Sequence, residues 1–171
     1  VAGLFWKCVE SHLKGFPPID LALPSKVGPG TTVDPCVLQS VLGEGRYGKV
    51  FSATNRESGC SEAVKVVSKS FIKEHRHARA LHREMCLHMR LHHRHIIRFI
   101  GASHGPKHVF IRMEEASGTS LFRLLKGNAG YFPVGQSRRY QAHLMQAVAY
   151  CHERGVAHRD LKPENIAVDA N

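Results

Sequence analysis

The sequence lacks the features that mark several classes of protein. It has no C-x-x-C pair, and its five cysteines are widely spaced: Cys8, Cys36, Cys60, Cys86 and Cys151. An odd number without close pairs argues against a disulfide scaffold or a zinc knuckle and indicates a reducing compartment, the cytoplasm or the nucleus. No apolar run approaches the roughly 20 residues of a spanning helix, so we expect no membrane span.

Acidic residues are also scarce. The 171 residues include 14 Asp and Glu against 24 Lys and Arg, a formal net charge of +10. This excess suits nucleic acid, an anionic membrane surface or a phosphate-rich ligand, and it equally suits a solvated basic surface. Because no aromatic pattern for base stacking accompanies it, we expect no nucleic-acid partner. The seven histidines between His75 and His95 favour a surface whose charge varies with pH over a metal site.

The pattern of the chain changes near residue 36. Residues 1–35 include the Pro- and Gly-rich stretch "FPPIDLALPSKVGPGTTVDP" and are predicted to form an N-terminal extension and linker. Three strand-like runs, one run with helical spacing and two more strand-like runs follow. The helical run places its apolar residues in one stripe: Leu81, Met85, Met89 and Leu91. This order predicts an antiparallel sheet with one helix packed on it. After Gly118 the patterns are helical, so the expected class is α+β.

The stretch "GEGRYGKV" has glycines in a G-x-G-x-x-G-x-V pattern, at Gly43, Gly45 and Gly48, followed by Val50. Glycines let the backbone turn tightly and bring main-chain N–H groups close to phosphates, although they also occur in ordinary hairpins. A dinucleotide-binding fold would need a helix directly after the glycines. Because "KVFSAT" is typical of a strand, the motif favours a hairpin.

A lysine, Lys65, lies in the apolar strand-like run "SEAVKVVSK". A buried ammonium group is costly without an anionic partner. The two candidate partners are a phosphate under the glycine hairpin and Glu84 on the following helix. The alternative is a lysine that keeps its charged end in water and has no such role.

The loop "HRDLKPEN" carries three groups suited to one reaction. Asp160 can accept a hydroxyl proton, Lys162 can neutralise a phosphate, and Asn165 can hold a metal ion through its amide oxygen. A base, a positive charge and a metal ligand in one loop suit phosphoryl transfer, in which positioning and electrostatics dominate. The run is too specific to favour the alternative, a charged loop that merely closes a helix.

These three motifs together resemble the eukaryotic protein kinases, over residues 36–171. "LKPEN" resembles the serine/threonine kinases, and "AVAYCHERGVAHRDLKPEN" with "KSFIKEH" resembles the calmodulin-dependent and AMP-activated kinase group. The resemblance implies a protein-kinase-like fold with a complete small lobe, a five-stranded antiparallel sheet plus one helix. Residues 36–116 would form this lobe and the hinge. Residues 117–171 would form the first part of the helical large lobe, ending after the catalytic loop.

The resemblance also implies an ATP site. Its residues would be Leu42, Gly43, Gly45, Gly48, Val50, Ala63, Lys65, Glu84, Met113, Glu114, Ala116 and Ala167. The three glycines would cover the phosphates, and Lys65 would contact them and pair with Glu84. Leu42, Val50 and Ala63 would form the roof of the adenine pocket and Ala167 its floor.

Further roles follow from the same resemblance. Met113 would be the gatekeeper, and the backbone of residues 114–116 would bind adenine as the hinge. Asp160 would be the catalytic base, Lys162 would steady the transferred phosphate, and Asn165 would bind Mg²⁺. The substrates would be protein serines and threonines, and Glu164 would favour those near basic residues.

Three features depart from the family pattern. His88 stands where an apolar residue is usual, and Ala167 stands where a larger side chain is usual. The sequence also ends six residues after Asn165, before the position of the D-F-G aspartate that binds the second metal ion. We therefore expect negligible kinase activity from this chain alone. The alternative is a non-catalytic, kinase-like module that binds nucleotide or a partner protein.

Overall fold

The computed structural model describes residues 27–45, 48–72, 75–116 and 118–168. Residues 1–26, most of the predicted extension, lie outside this range. The chain divides into two compact units. The first comprises the chain up to Arg90 together with Arg98–Glu115, and the second comprises Leu91–Ile97 and the chain from Ala116 onward. No helix within the described ranges has the length and apolar character needed to cross a membrane.

The first unit is built on an antiparallel sheet. Its strands are β1 (Thr32–Val33), β2 (Cys36–Gly45), β3 (Gly48–Asn55), β4 (Ser61–Ser68), β5 (Phe99–His104) and β6 (His108–Glu114). They are arranged in the order β1-β2-β3-β4-β6-β5. The antiparallel sheet is confirmed, but the prediction of five strands was one short. The additional strand, β1, pairs with β2 and lies inside the segment predicted to be a linker.

The two faces of the sheet bury two separate apolar clusters. Val67 of β4 belongs to one cluster, and Val66, the preceding residue, belongs to the other. Because successive side chains of a strand point to opposite faces, Lys65 shares the face of Val67, and Glu62 shares the face of Val66. We call these the helix-side face and the far face.

Helix α1 (His75–His88) covers the helix-side face. Ala78 and Met85, two turns apart, are buried with Val67, and Leu81 packs against the same cluster. This spacing places the apolar side chains on one side of the helix. The predicted stripe is therefore correct for Leu81 and Met85. Met89 lies beyond the end of the helix and is 48% exposed.

The far face holds a buried polar network. Arg112 of β6 donates to Glu62 of β4 through Nε at 2.8 Å and Nη2 at 2.9 Å. The same carboxylate accepts bonds from Asn55 Nδ2 at 2.8 Å and from the Cys36 thiol at 3.4 Å. Burial alone would raise the pKa of Glu62, but the hydrogen bonds from Arg112 and Asn55 outweigh it and lower that pKa. Burial and the Glu62 charge raise the pKa of Cys36 to about 11. No motif in the sequence predicts this network.

The described part of the second unit contains two helices and two short strands. These are β7 (Thr119–Ser120), α2 (Leu121–Gly127), α3 (Val134–Glu153) and β8 (Ala167–Val168). Ser120 begins α2 as its N-cap, since its hydroxyl accepts a bond from Arg123 N at 3.3 Å. Strand β8 returns to pair with β7. The chain between α3 and β8 is thereby closed into a loop.

Helix α3 ends in a turn that contains a glycine. Gly155 has a φ of 68°, and its N–H donates to His152 O at 2.9 Å. The next N–H, that of Val156, donates to Cys151 O at 2.9 Å. These two bonds form a Schellman motif, in which glycine adopts the left-handed conformation at little cost. The loop "HRDLKPEN" therefore follows directly from a fixed helix end.

Candidate active site

The glycine motif forms a hairpin between β2 and β3. Gly45 pairs with Gly48 and Gly43 pairs with Val50; residues 46 and 47 lie outside the described ranges. The structure thus has a strand, and not a helix, directly after the glycines, as predicted. Gly48 has a φ of 155°, and a Cβ added there would lie 1.9 Å from Val66 O. Only glycine fits this position without displacing β3 from β4.

The strand lysine meets its predicted carboxylate partner. Lys65 Nζ lies 3.5 Å from Glu84 Oε1 of helix α1, and the side chains are 30% and 63% exposed. Lys65 is held between Val50 of β3 and Ile111 of β6, so its position is set by the centre of the sheet. Its ammonium group stays open to solvent and to a ligand, because the pair is formed at the edge of the core.

The unusual His88 forms a contact of its own. Its ring lies 5.7 Å from that of Phe99, edge to face. Such a geometry is favourable between aromatic rings. The helix turn that carries Glu84 is therefore anchored on β5 although the residue is not aliphatic, and the Lys65–Glu84 pair forms with His88 in place.

The predicted adenine-roof residues differ in their burial. Ala63 is buried and pairs directly with Ser52 of β3 and with Met113 of β6. Val50 is half-buried, and Leu42 is 41% exposed. Met113, the predicted gatekeeper, packs against the cluster on the helix-side face. The structure thus brings Val50, Ala63, Lys65 and Met113 onto neighbouring strands.

The predicted hinge begins where β6 ends. Glu114 N donates to Arg98 O at 2.9 Å, and Arg98 N donates to Glu114 Oε2 at 3.1 Å. The next carboxylate, of Glu115, accepts hydrogen bonds from Ser52 and Ser61. Sequence reasoning missed these two serines because no motif marks them. Only the strand register brings them to the hinge.

The catalytic-loop residues form a cluster in the second unit. Lys162 Nζ lies 3.1 Å from Asp160 Oδ1. Asn165 Nδ2 donates to Asp160 Oδ2 at 2.8 Å and to Asp160 O at 2.9 Å. Of the three residues that the motif singled out, Lys162 and Asn165 therefore both contact the carboxylate of the third, Asp160. A single turn of 3₁₀ helix, Pro163–Asn165, brings Asn165 back to Asp160.

Two further features shape this loop. Arg159 has a φ of 64°, a left-handed conformation that a residue other than glycine adopts at some cost. Asp160 N donates to His158 Nδ1 at 3.3 Å. Hydrogen bonds from Lys162 and then Asn165 lower the pKa of Asp160. The carboxylate is thus ionised at neutral pH, the state that a general base requires.

One residue of this cluster, Asn165, is suited to bind a magnesium ion. Asn165 uses its Nδ2 for Asp160, which leaves Oδ1 as the atom that would bind the metal. Within the described ranges no group of three or more His, Cys, Asp and Glu could hold a metal ion. Mg²⁺ commonly takes only one or two protein ligands and completes its shell with phosphates and water. A single amide oxygen is compatible with that mode of binding.

The predicted adenine-floor residue lies in β8. Ala167 pairs with Ser120 of β7 and is exposed, and Leu121 N donates to Ile166 O at 2.8 Å. These bonds fix the backbone of Ala167 at the start of helix α2. The small side chain offers less apolar area to a base than a leucine would, which is the physical meaning of this departure from the family pattern.

Comparisons with known proteins agree with this geometry. The protein kinase domain matches residues 36–171. CBL-interacting protein kinase 30 of Oryza sativa subsp. japonica is 39% identical over 133 residues, which cover 78% of this chain and 28% of that protein. Serine/threonine-protein kinase grp of Drosophila melanogaster is 37% identical over 146 residues, 83% of this chain and 28% of that protein.

A third relative, CBL-interacting serine/threonine-protein kinase 24 of Arabidopsis thaliana, is 36% identical over 130 residues, which cover 76% of this chain and 29% of that protein. The chain spans less than a third of the length of each of these relatives. The domain match covers most of the chain and includes the glycine hairpin, the strand lysine and the catalytic loop. The chain belongs to the protein kinase family, and its relatives include serine/threonine kinases.

Proposed function

We propose that this chain carries the ATP-binding part and the catalytic loop of a kinase that phosphorylates protein serines and threonines. The observation that carries the proposal is the convergence of Lys162 and Asn165 on the carboxylate of Asp160. The three groups can accept a hydroxyl proton, offset phosphate charge and bind a metal ion. Phosphoryl transfer needs these functions close together.

Each side chain has a defined task in this proposal. Asp160 accepts the proton of the attacking hydroxyl, using lone pairs that remain beside its bonds to Lys162 and Asn165. Lys162 neutralises charge on the transferred phosphate. Asn165 would hold Mg²⁺ through Oδ1. When bound, Mg²⁺ would neutralise charge on the nucleotide phosphates.

The nucleotide would be held mainly by the first unit. Lys65 contacts the α- and β-phosphates while Glu84 orients its ammonium group, and the hairpin of Gly43, Gly45 and Gly48 covers the phosphates. The apolar side chains of this unit that contact the base would be Leu42, Val50, Ala63 and Met113; the role of Ala167 stays a prediction from the resemblance. The backbone of Glu114 and Ala116 would bind the edge of adenine.

The test is a phosphorylation assay of the full chain with MgATP and a serine-containing peptide. Any turnover that this chain shows should fall about 10²- to 10⁴-fold on replacing Asp160→Asn, the usual contribution of a general base. The control Glu153→Gln removes an exposed carboxylate that forms an ion pair with the adjacent Arg154 at 3.8 Å, and it should leave the rate unchanged. Equal rates for Asp160→Asn and the unchanged protein, both clearly above the rate without protein, would refute the proposal. Binding of ADP without any turnover would favour a non-catalytic, kinase-like binding module.

The finer predictions belong to the same proposal. Glu164 is exposed in the 3₁₀ turn beside Asn165 and is proposed to favour basic residues in the substrate. Replacing Glu164→Gln should then reduce the preference for a peptide with arginines over one without.

The described cysteines Cys36, Cys60, Cys86 and Cys151 are free thiols, which supports the proposed reducing, intracellular location. Membership of the calmodulin-dependent and AMP-activated group also stays a proposal.

A further inference from the structure

One carboxylate of the hinge is bound by two strands of the sheet. Ser52 Oγ donates to Glu115 Oε2 at 2.9 Å, and Ser61 Oγ donates to the same oxygen. Ser52 lies on β3 and is buried, 8% exposed, whereas Ser61 begins β4. Hydrogen bonds to an ionised acceptor are stronger than those between neutral groups. Glu115 is therefore fixed by two hydroxyls that are 63 and 54 residues away in sequence.

The strand register places these hydroxyls beside the proposed base-binding residues. Ser52 pairs directly with Ala63 in the β3–β4 ladder. Ser61 lies two residues before Ala63 on β4. Directly paired residues and residues two apart share a face, so both serines lie on the face of Ala63 and Lys65. The bonds thus link the hinge to the face proposed to contact the nucleotide.

The preceding hinge residue is held by different contacts. Glu114 forms two hydrogen bonds with the backbone of Arg98, one through its N–H and one through its carboxylate. Strand β6 ends at Glu114, so Glu115 has no further ladder bond to fix it. The two serines provide that constraint at the first residue beyond the sheet.

We propose that Ser52, Ser61 and Glu115 form a hinge clamp, which positions the backbone of residues 114–116 for the edge of a purine base. The inference rests on the proposed function, because it assumes that this backbone binds adenine. A fixed pair of N–H and C=O groups distinguishes the 6-amino group of adenine from the 6-oxo group of guanine. A mobile segment can reorient for either base, and it must also be ordered on binding. The clamp therefore raises both the affinity for adenine nucleotides and their preference over guanine nucleotides.

The experiment measures the binding of ADP and GDP to the full chain by isothermal titration calorimetry. Ser52→Ala/Ser61→Ala should weaken ADP binding about tenfold and GDP binding less, so that the ratio of the two dissociation constants moves towards one. Glu115→Gln, which keeps the shape and removes the charge, should shift the ratio in the same direction by a smaller factor. Ser61→Thr keeps a hydroxyl and should bind like the unchanged protein.

The matched control is Glu57→Gln, an exposed carboxylate in the turn between β3 and β4, which should change neither affinity. Thermal melting shows whether each variant is folded. If Ser52→Ala/Ser61→Ala does not fold, Glu115→Gln tests the clamp in its place. A general loss of stability would weaken the binding of ADP and GDP by the same factor, whereas loss of the clamp would change the ratio of their dissociation constants. An unchanged ratio in a folded clamp variant would overturn this inference alone. Absence of ADP binding by the unchanged protein would overturn the proposed function and this inference with it.

Discussion

Two ion pairs that start from the same strand differ in almost every physical respect. Glu62 and Arg112 lie on the far face with side chains 5% and 19% exposed, and they form two hydrogen bonds. Lys65 and Glu84 lie on the helix-side face, 30% and 63% exposed, with a single contact of 3.5 Å. Three residues along β4 therefore separate a pair enclosed by the core from a pair accessible to a ligand.

The difference indicates what each pair does. Removing one partner of a buried pair leaves an unpaired charge in a poor solvent, so such a pair is needed for folding once it is present. A single exposed contact contributes little to stability. The partly exposed ammonium group of Lys65 can therefore contact a phosphate at low cost while Glu84 remains beside it. The enclosed pair supports the sheet, and the open pair suits nucleotide binding.

The largest effect should come from breaking the enclosed pair. Arg112→Ala leaves the Glu62 carboxylate buried with Asn55 and Cys36 as its remaining partners, and it should lower the free energy of unfolding by about 3–5 kcal/mol. Urea denaturation followed by circular dichroism measures this. Lys49→Ala is the control, because Lys49 forms an exposed pair with Glu44 at 3.3 Å and its loss should cost about 0–1 kcal/mol. Similar losses in both variants would remove the contrast between enclosed and open pairs.

The next effect concerns the hairpin beside the open pair. Gly48→Ala would place a Cβ 1.9 Å from Val66 O, so β3 must move away from β4. We expect a loss of about 1–3 kcal/mol in stability, the usual cost of a strained backbone position, and weaker ADP binding. At Gly43, by contrast, an added Cβ meets no atom within 4 Å, so Gly43→Ala is the matched control for the steric effect. If both variants unfold at the same urea concentration, Val66 does not restrict this position.

Acid should weaken the enclosed pair by a smaller amount. The folded pKa of Glu62 is lowered from its ordinary value of 4.5. The unfolded chain therefore takes up the proton first as the pH falls. The stabilisation is present above pH 4.5 and is lost as the pH falls through the folded pKa. Urea midpoints measured between neutral pH and acid should decline more steeply for the unchanged protein than for Glu62→Gln. Parallel curves would show that Glu62 does not carry this dependence.

The smallest effect on stability should come from the open pair. Lys65→Met keeps the apolar part of the side chain and removes its charge, so the free energy of unfolding should change by about 0–1 kcal/mol. The same variant should lose most of its ADP affinity, because the phosphate contact is gone. Lys49→Met is matched in chemistry and should retain ADP binding. A large loss of stability in Lys65→Met would place this pair with the enclosed one.

The sequence predicted the elements whose residues are close together in the chain. Strand-like runs in the sequence predicted β3, β4 and β6, and the run with helical spacing predicted α1. The strand β1 was missed because two residues, Thr32 and Val33, cannot show an alternating pattern and lie in a Pro- and Gly-rich stretch. The apolar stripe was extended too far, to Met89 and Leu91, because the pattern does not show that the chain leaves the helix after His88.

In the candidate site, too, the residues that are close together in the sequence could be predicted, and those brought together by packing could not. Asp160, Lys162 and Asn165 could be named from the sequence because they lie within six consecutive residues, and the 3₁₀ turn needs no distant contact to bring them together. Glu84 was one of two candidate partners of Lys65, and the packing of α1 on the helix-side face brings the two within 3.5 Å. The serines of the hinge clamp carried no signal, because neither Ser52 within β3 nor Ser61 at the start of β4 belongs to a motif.

The sequence by itself determined the local chemistry: where the backbone can turn, which strand carries a lysine, and which loop carries a carboxylate, an amine and an amide. Only the tertiary structure decided which distant groups meet. Glu62 and Arg112 are 50 residues apart, and only the β4–β6 register places one beside the other. The physical reason is that backbone conformation responds to neighbouring residues, whereas burial and the pairing of charges depend on how the whole sheet packs.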